Sequence, residues 1–351
     1  MMNYTEKEQS MKTLKGFFLT TACVFCLTVA GTSAVTYGQE TVPTVTPEAF
    51  PTITPEVVPT VTPVPKPTAV PKKKGLVKEG KKLCFYYSNG SKAKNKLKTV
   101  NGATYYFGPD GYAVCGGVRF KNKNKVYVFG ENFKRIKNKK GKIIRVRYSI
   151  YYMTGNNGEA ATGFFIYKNN LYYGGPGGKL YKNRSLANRY HFTASGAAKK
   201  NTDALLKIKT MQIASSITNP GMTKSQKLYA CWRYVVGGHI GYWSVYPNLG
   251  QAGWQRSLAL NTLVNGGGNC YGFACAFAAL AQEVGYEPYM VYGYVPGSRD
   301  GRADGMTRHC WVQINGLSYD PEGTYAGWAP GIYGTAGYGV YHWTSGSVKF
   351  A

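Results

Sequence analysis

Apolar positions are most regular between Gly266 and Gly285. Phe273, Phe277, Leu280, Ala281 and Val284 recur at the three-to-four spacing of a buried helical face. The Ala, Leu and Gln residues among them suit a helix, and Gly285 is placed to stop it in a left-handed cap. Further on the rhythm becomes two. Residues 308–314 alternate like a strand, Asn315-Gly316 is a tight hairpin signal, and a second strand runs over residues 317–320. Residues 204–214 and 225–236 read as helices, the second with Leu228, Trp232 and Val235 inward. Other strands are expected at 288–295 and 339–343. Between them, residues 237–265 are rich in glycine and aromatics. Helices followed by antiparallel strands predict an α+β domain over residues 203–351.

The first half of the chain has different periods. Aromatic pairs at Tyr105, Tyr127, Tyr151 and Tyr172 are 22, 24 and 21 residues apart, each followed by a glycine turn. Such spacing marks stacked supersecondary units. Each unit reads as a short hairpin: an aromatic strand, a Gly/Asp/Asn turn, then a second strand such as residues 116–120 or 163–167. An all-β hairpin-repeat domain is therefore expected over residues 76–195, with residues 131–148 as a basic insertion. The tyrosines either fill the thin core of the stack or form platforms for a ligand. Cys84 and Cys115 fall in this segment and could pair if the chain is secreted. Residues 35–75 contain a Pro/Thr-rich octapeptide repeat. Its prolines exclude helix and ladder and favour a stiff polyproline spacer.

Residues 1–34 read as a signal peptide: a short basic lead at residues 11–15, an apolar run at 16–31, then Thr32-Ser33-Ala34. Met11 is a possible start. The apolar run is only slightly short of a membrane span, so a retained anchor is the alternative. After cleavage no transmembrane domain is expected, and the protein would be secreted or wall-associated and extracellular.

Charge sharpens the division. Residues 72–200 carry 29 Lys and Arg against 4 Asp and Glu, net +25 of the chain's +27. A field of that sign attracts anionic polymer. With an export signal and no nucleic-acid motif, the expected partner of residues 76–195 is an anionic wall polymer or glycan, not nucleic acid.

Candidate chemistry lies in the C-terminal domain. Cys270 follows a glycine run and opens the apolar helix, where unpaired N–H groups and the helix dipole favour a thiolate. Gly266 to Gly268 leave the backbone bare for a substrate chain. Around the Asn315-Gly316 loop, Ile314 pairs with Leu317. Counting outward, Trp311 pairs with Asp320 and His309 with Glu322, so His309, Trp311 and Asp320 share one face. A carboxylate there can orient an imidazole whose other nitrogen serves the thiol. Cys231, Cys275 and Cys310 read as core residues, and His191, His239 and His342 as structural or surface groups. No cofactor is expected. Cys270 with Cys275 is a poor zinc pattern, so no metal is expected either.

These motifs resemble a known family. Gly-Asn-Cys270-Tyr-Gly, the apolar helix, the Gly-Tyr-Glu-Pro-Tyr-Met-Val-Tyr-Gly strand, His309-Cys-Trp311 and Tyr-Asp320-Pro321 are similar to the transglutaminase-like cysteine enzymes. The resemblance covers about residues 224–320. It implies a transglutaminase-like (papain-like) catalytic domain whose nucleophile helix packs on an antiparallel sheet. It also implies Cys270 as nucleophile, His309 as base and Asp320 as orienter. Cys310 departs from the small residue, often alanine, usual beside the histidine. The hairpin repeats resemble the cell-wall or glucan-binding repeats of Gram-positive surface proteins, without their characteristic Trp. The implied activity is attack on an amide of a peptide or protein substrate through an acyl-thioester, resolved by water (peptidase or amidohydrolase) or by an amine (crosslinking). The oxyanion would take the Cys270 N–H and a donor from Tyr242 or Trp243. A non-catalytic wall-bound adhesin or scaffold is the alternative.

The charge distribution makes one prediction. Residues 76–195 should bind purified anionic walls with strong salt dependence, because exposed charges are screened beyond roughly 8 Å at physiological ionic strength and near 3 Å at about 1 M. Retention in a wall pull-down should fall steeply across that range. Retention that does not change with salt would refute the electrostatic basis.

Overall fold

The computed structural model describes residues 72–351. The signal segment and nearly all of the spacer lie outside the described residues. Among the described residues no helix is long and apolar enough to cross a membrane.

The N-terminal part is a run of antiparallel hairpins: β1 (Gly75–Glu79) with β2 (Lys82–Tyr86), β3 (Lys96–Val100) with β4 (Ala103–Phe107), and β5 (Gly116–Phe120) with β6 (Lys125–Phe129). Next come β7 (Ile143–Val146) with β8 (Ser149–Tyr152), a short strand β9 (Glu159–Ala160) that joins β6, β10 (Gly163–Tyr167) with β11 (Asn170–Gly174), and β12 (Arg184–Leu186) with β13 (Tyr190–Phe192).

The hairpins are phased differently from the sequence reading. Each aromatic strand is the second strand of its hairpin, so residues 116–120 pair forward with β6 and not back with β4. Four of the six closing loops are two-residue turns, among them Asn101-Gly102 (φ 47° and 73°) and Lys168-Asn169 (φ 47° and 58°). Positive φ at both loop residues matches the right-handed strand twist, which is why these dipeptides close the hairpins. The Gly/Pro/Asp turns instead connect one hairpin to the next. There the last residue of the aromatic strand bridges six residues ahead, as in Phe107 with Ala113 and Phe129 with Arg135. The basic stretch 131–148 is likewise no insertion, because it supplies β7.

Tyr105, Tyr127, Tyr151 and Tyr172, the periodic tyrosines, are all buried. Rings also meet between neighbouring hairpins: Tyr152 stacks on Phe165 at 4.6 Å, and Phe164 meets Tyr190 at 4.6 Å. The first tyrosine of each pair is thus core. Cys84 and Cys115 are free thiols, with Cys84 Sγ donating to the Val77 carbonyl at 3.4 Å.

The C-terminal part begins with α1 (Thr202–Ile217), capped by the Asn201 side chain, which accepts from Ala204 N. The Asn201 amide also donates to the Arg189 carbonyl, and Asp203 receives both Arg189 and Arg256, so the last hairpin is tied to the helices. α2 (Lys224–Tyr234) opens on a Thr223/Gln226 capping box. Between it and the helix that opens at Cys270 lies α3 (Trp254–Asn265), which the sequence reading did not assign. Its buried Trp254, Leu258, Ala259, Thr262 and Leu263 do carry helical spacing.

α4 (Cys270–Glu283) is the centre of this part, and residues 270–281 are all buried. Over that stretch it has no solvent face: α1, α2 and α3 pack around it, and the sheet covers the rest. The sheet has five antiparallel strands in the order β19-β18-β17-β16-β20: Tyr333–Thr335, Leu317–Tyr319, Met306–Ile314, Tyr289–Pro296 and Trp343–Lys349. The last strand starts at Trp343 and not at residue 339, and β19 was not foreseen. Opposite His309, Gly293 sits at a bulge where an added Cβ would lie 2.0 Å from the Trp343 carbonyl, so β20 docks only against glycine.

Candidate active site

Cys270 is the first residue of α4. The buried Asn269 caps that helix by accepting from Gly272 N. The glycines ahead of it serve the chain itself and not a substrate backbone. Gly267 and Gly268 form β15, paired in parallel with β14 (Gly241–Tyr242). A Cβ on Gly267 would meet the Trp243 ring at 2.6 Å, and one on Gly268 would meet Gly272 and Thr262 at about 3 Å. Close packing demands these glycines. The short ladder pairs Tyr242 with Gly268, two residues ahead of Cys270.

The hairpin pairs Ile314 with Leu317, Gln313 with Ser318 and Val312 with Tyr319. There it stops, and neither Trp311–Asp320 nor His309–Glu322 pairs as strand. The reason is Asp320-Pro321. Pro321 has no N–H for a ladder, and Asp320 instead caps α5 (Pro321–Ala326), its Oδ1 accepting from Gly323 N at 2.9 Å. That turn still brings the carboxylate to the histidine: His309 Nε2 lies 2.8 Å from Asp320 Oδ2. The Tyr338 hydroxyl donates to the same oxygen at 2.5 Å. Trp311 stacks on Tyr338 at 4.3 Å and holds that ring in place.

Cys270, His309 and Asp320 are all buried. Cys270 Sγ is 3.9 Å from the Arg308 carbonyl, next to the histidine in the chain. Burial by itself lowers the His309 pKa, but the charges of Asp320 and Cys270 and the bond to Asp320 outweigh it and raise it to about 10. The charged ring is thus favoured between Asp320 and Cys270. Burial raises Cys231 to about 12 and puts Cys275 and Cys310 well above an ordinary thiol, as suits core residues.

Sequence reasoning gave three neighbours no role in the site, although it set Glu322 opposite His309. Tyr338 had no motif to mark it. Glu322 is buried, with Oε2 3.8 Å from His309 Nδ1 and 3.2 Å from the Trp328 indole N–H, and its burial raises its pKa. Arg299 lies in a Gly-Ser-Arg-Asp-Gly loop that reads only as a turn. Its guanidinium donates to Tyr242 Oη at 3.0 Å and to the Arg308 carbonyl. His309, Asp320 and Glu322 place donor atoms within 4.8 Å of one another. Asp320 is already occupied by His309, Tyr338 and Gly323 N, so this group is connected as a hydrogen-bond network and not as an open ligand set. His342 packs against Trp311 and Tyr338, while His191 and His239 bond Ser185 and the Tyr234 carbonyl.

Residues 211–330 match the family model of the transglutaminase-like superfamily. This part of the chain is a transglutaminase-like domain. Over 103 residues the protein is 39% identical to glucosyltransferase-S of Streptococcus mutans, a match that spans 28% of this chain and only 7% of that relative. Among solved structures, CbpJ of Streptococcus pneumoniae aligns at 23% identity and a TM-score of 0.24, over 36% of this chain and 41% of its own. A truncated alternansucrase from Leuconostoc mesenteroides aligns at 25% identity and a TM-score of 0.25, over 36% of this chain and 11% of its own. Scores that low assign no function.

The contacts of Asp320 yield a prediction. Tyr338→Phe removes a hydrogen bond to a buried carboxylate, worth about 1.5–3 kcal/mol. The variant should fold with a lowered melting temperature, and any Cys270-dependent turnover should drop roughly tenfold or more. Unchanged melting and turnover would show that Tyr338 does not hold the acid.

Proposed function

We propose that this protein is a secreted, surface-held cysteine enzyme that cleaves an amide in peptides or proteins near the cell wall. The observation that carries this reading is the arrangement of Cys270 at a helix N-terminus beside a His309 bonded to a buried Asp320. Cys270 attacks the carbonyl carbon as thiolate, with His309 as the charged partner. The tetrahedral oxyanion takes the Cys270 N–H and a second donor from Tyr242 or Trp243. His309 then gives its proton to the leaving amine, and an acyl-thioester remains on Cys270. Water, deprotonated by the now neutral His309, attacks that thioester and releases the acid. An amine in place of water gives a crosslink. Asp320 keeps the imidazole in one orientation and stabilises its charge. The basic repeats hold the enzyme at an anionic wall polymer, and the Pro/Thr spacer adds reach.

A wall-peptide library should leave an acyl adduct on Cys270, detected by intact mass and peptide mapping. Cys270→Ala should abolish it, and Asp320→Asn should slow turnover by orders of magnitude while the protein stays folded. Because the residues act as a unit, Cys270→Ala with His309→Ala should cost little more than Cys270→Ala alone. A chain that forms no adduct and turns over nothing would leave a wall-bound scaffold.

The pH profile supplies a second check. Leaving-group protonation needs the imidazolium, which is present below the His309 pKa and lost as pH rises through about 10. The alkaline limb of kcat/KM should fall near that value. Asp320→Asn removes a charge that favours the imidazolium, so the limb should move to lower pH. A limb that stays in place in Asp320→Asn would assign it to another group.

A further inference from the structure

The thiol of Cys270 has a cation for a neighbour. Arg299 sits in the loop between β16 and β17, and its guanidinium donates to the same Arg308 carbonyl that Cys270 Sγ approaches at 3.9 Å. One carbonyl oxygen thus separates the guanidinium from the nucleophile. Tyr242, which accepts from Arg299 at 3.0 Å, pairs in the β14–β15 ladder with Gly268, two residues ahead of Cys270.

Arg299 is weakly paired. The nearest carboxylate is Asp300, whose side chain is 6% exposed and faces two arginines. Asp300 Oδ2 accepts from Arg308 N at 2.8 Å and Arg308 Nε at 2.9 Å, whereas Arg299 Nε stands 3.6 Å from Oδ1. Asp300 therefore belongs to Arg308. The remaining partners of Arg299 are a phenol oxygen and a peptide carbonyl, both neutral. A guanidinium presents five N–H donors in a fork matched to a carboxylate. Bonds to a carboxylate are roughly twice as strong as those to neutral acceptors. The Arg299 side chain is 30% exposed, so a solute can reach it.

We propose that Arg299 is a receptor for a substrate carboxylate, so that the enzyme takes acidic peptides with a carboxylate within about one residue of the scissile amide. The carboxylate displaces Tyr242 Oη from the guanidinium. That exchange loosens the contact beside the buried Cys270 and places the scissile carbonyl against the thiol. The carboxylate is an acidic side chain or a free C-terminus; the chemistry at Arg299 is the same. The proposal rests on the reading of Cys270 as the acylated nucleophile, but the anion site can be tested without turnover.

The test uses the full chain and two alkylating probes of similar size, anionic iodoacetate and neutral iodoacetamide. The readout is the ratio of their rates at Cys270, followed by peptide mapping. Any effect of Arg299 on thiolate reactivity acts on both reagents and cancels in the ratio. Arg299→Gln should lower the iodoacetate-to-iodoacetamide ratio at least tenfold, and Arg299→Lys, which keeps a cation, should retain most of it. A ratio that changes less than twofold in Arg299→Gln, or falls equally in Arg299→Lys, overturns the proposal. Paired peptides that differ only in Glu against Gln beside the amide, or in a C-terminal acid against its amide, then show which carboxylate is used. The preferred member should lead by tenfold or more in kcat/KM, and Arg299→Gln should bring the two within about twofold. Turnover with no such preference also overturns the carboxylate site. If the probes show the ratio and no peptide is cleaved, the anion site stands and the proposed hydrolysis falls.

Discussion

The site depends on one buried carboxylate. Asp320 has no exposed surface, and each of its oxygens has a defined partner: Gly323 N on Oδ1, His309 and the Tyr338 hydroxyl on Oδ2. A buried charge with missing partners would be strongly destabilising. Here the cap of α5 and the orientation of the imidazole are the same interaction. Any change that loosens α5 moves His309, and any change at His309 leaves Asp320 under-satisfied. Tyr338 and Trp311 stack as a wall behind this pair, which keeps water out and strengthens the charge that holds His309 protonated.

Cys270 is placed by close packing. α4 is surrounded by three helices and a sheet, so its axis cannot shift without opening the core. Its N-terminus is fixed by Asn269 and by the glycine ladder to residues 241–242. Those glycines bring Trp243, Thr262 and the helix within contact distance of the backbone. The same ladder holds Tyr242, which Arg299 bonds, and Arg299 shares the Arg308 carbonyl with the thiol. The polar environment of Cys270 thus comes from segments far apart in the chain, joined at one helix end.

The hairpin segment achieves order with little core. Its buried tyrosines recur once per unit, and rings from neighbouring hairpins stack where each unit alone would be too thin to exclude water. The lysines stay outside, some lying over tyrosine rings, as Lys92 and Lys82 do over Tyr112 at 4.2 and 4.4 Å. Aromatic interior and cationic exterior are two uses of one short repeat. The Arg189–Asp203–Arg256 cluster connects the last hairpin to the helices.

Local chemistry determined much from the sequence alone. Cys270 at a helix start, Gly285 at its end, the Asn315-Gly316 turn and the repeat period were legible because each depends on a few adjacent residues. The shared placement of His309 and Asp320 was legible as a matter of side, since alternation in a strand needs no tertiary information. How they meet was not. Asp320 leaves the strand to cap a helix, a choice made by Pro321 together with the packing of α5 on α4. The phase of the hairpins escaped because glycine turns occur both within and between units, and only strand pairing distinguishes them. α3 had helical spacing but was obscured by the glycines and aromatics before it. Tyr338 and Arg299 left no local signature, and Glu322 was legible only as a position opposite His309. They reach the site from a loop, a helix turn and a second loop, and only the folded chain brings Tyr338 to Asp320, Glu322 to His309 and Arg299 to Tyr242.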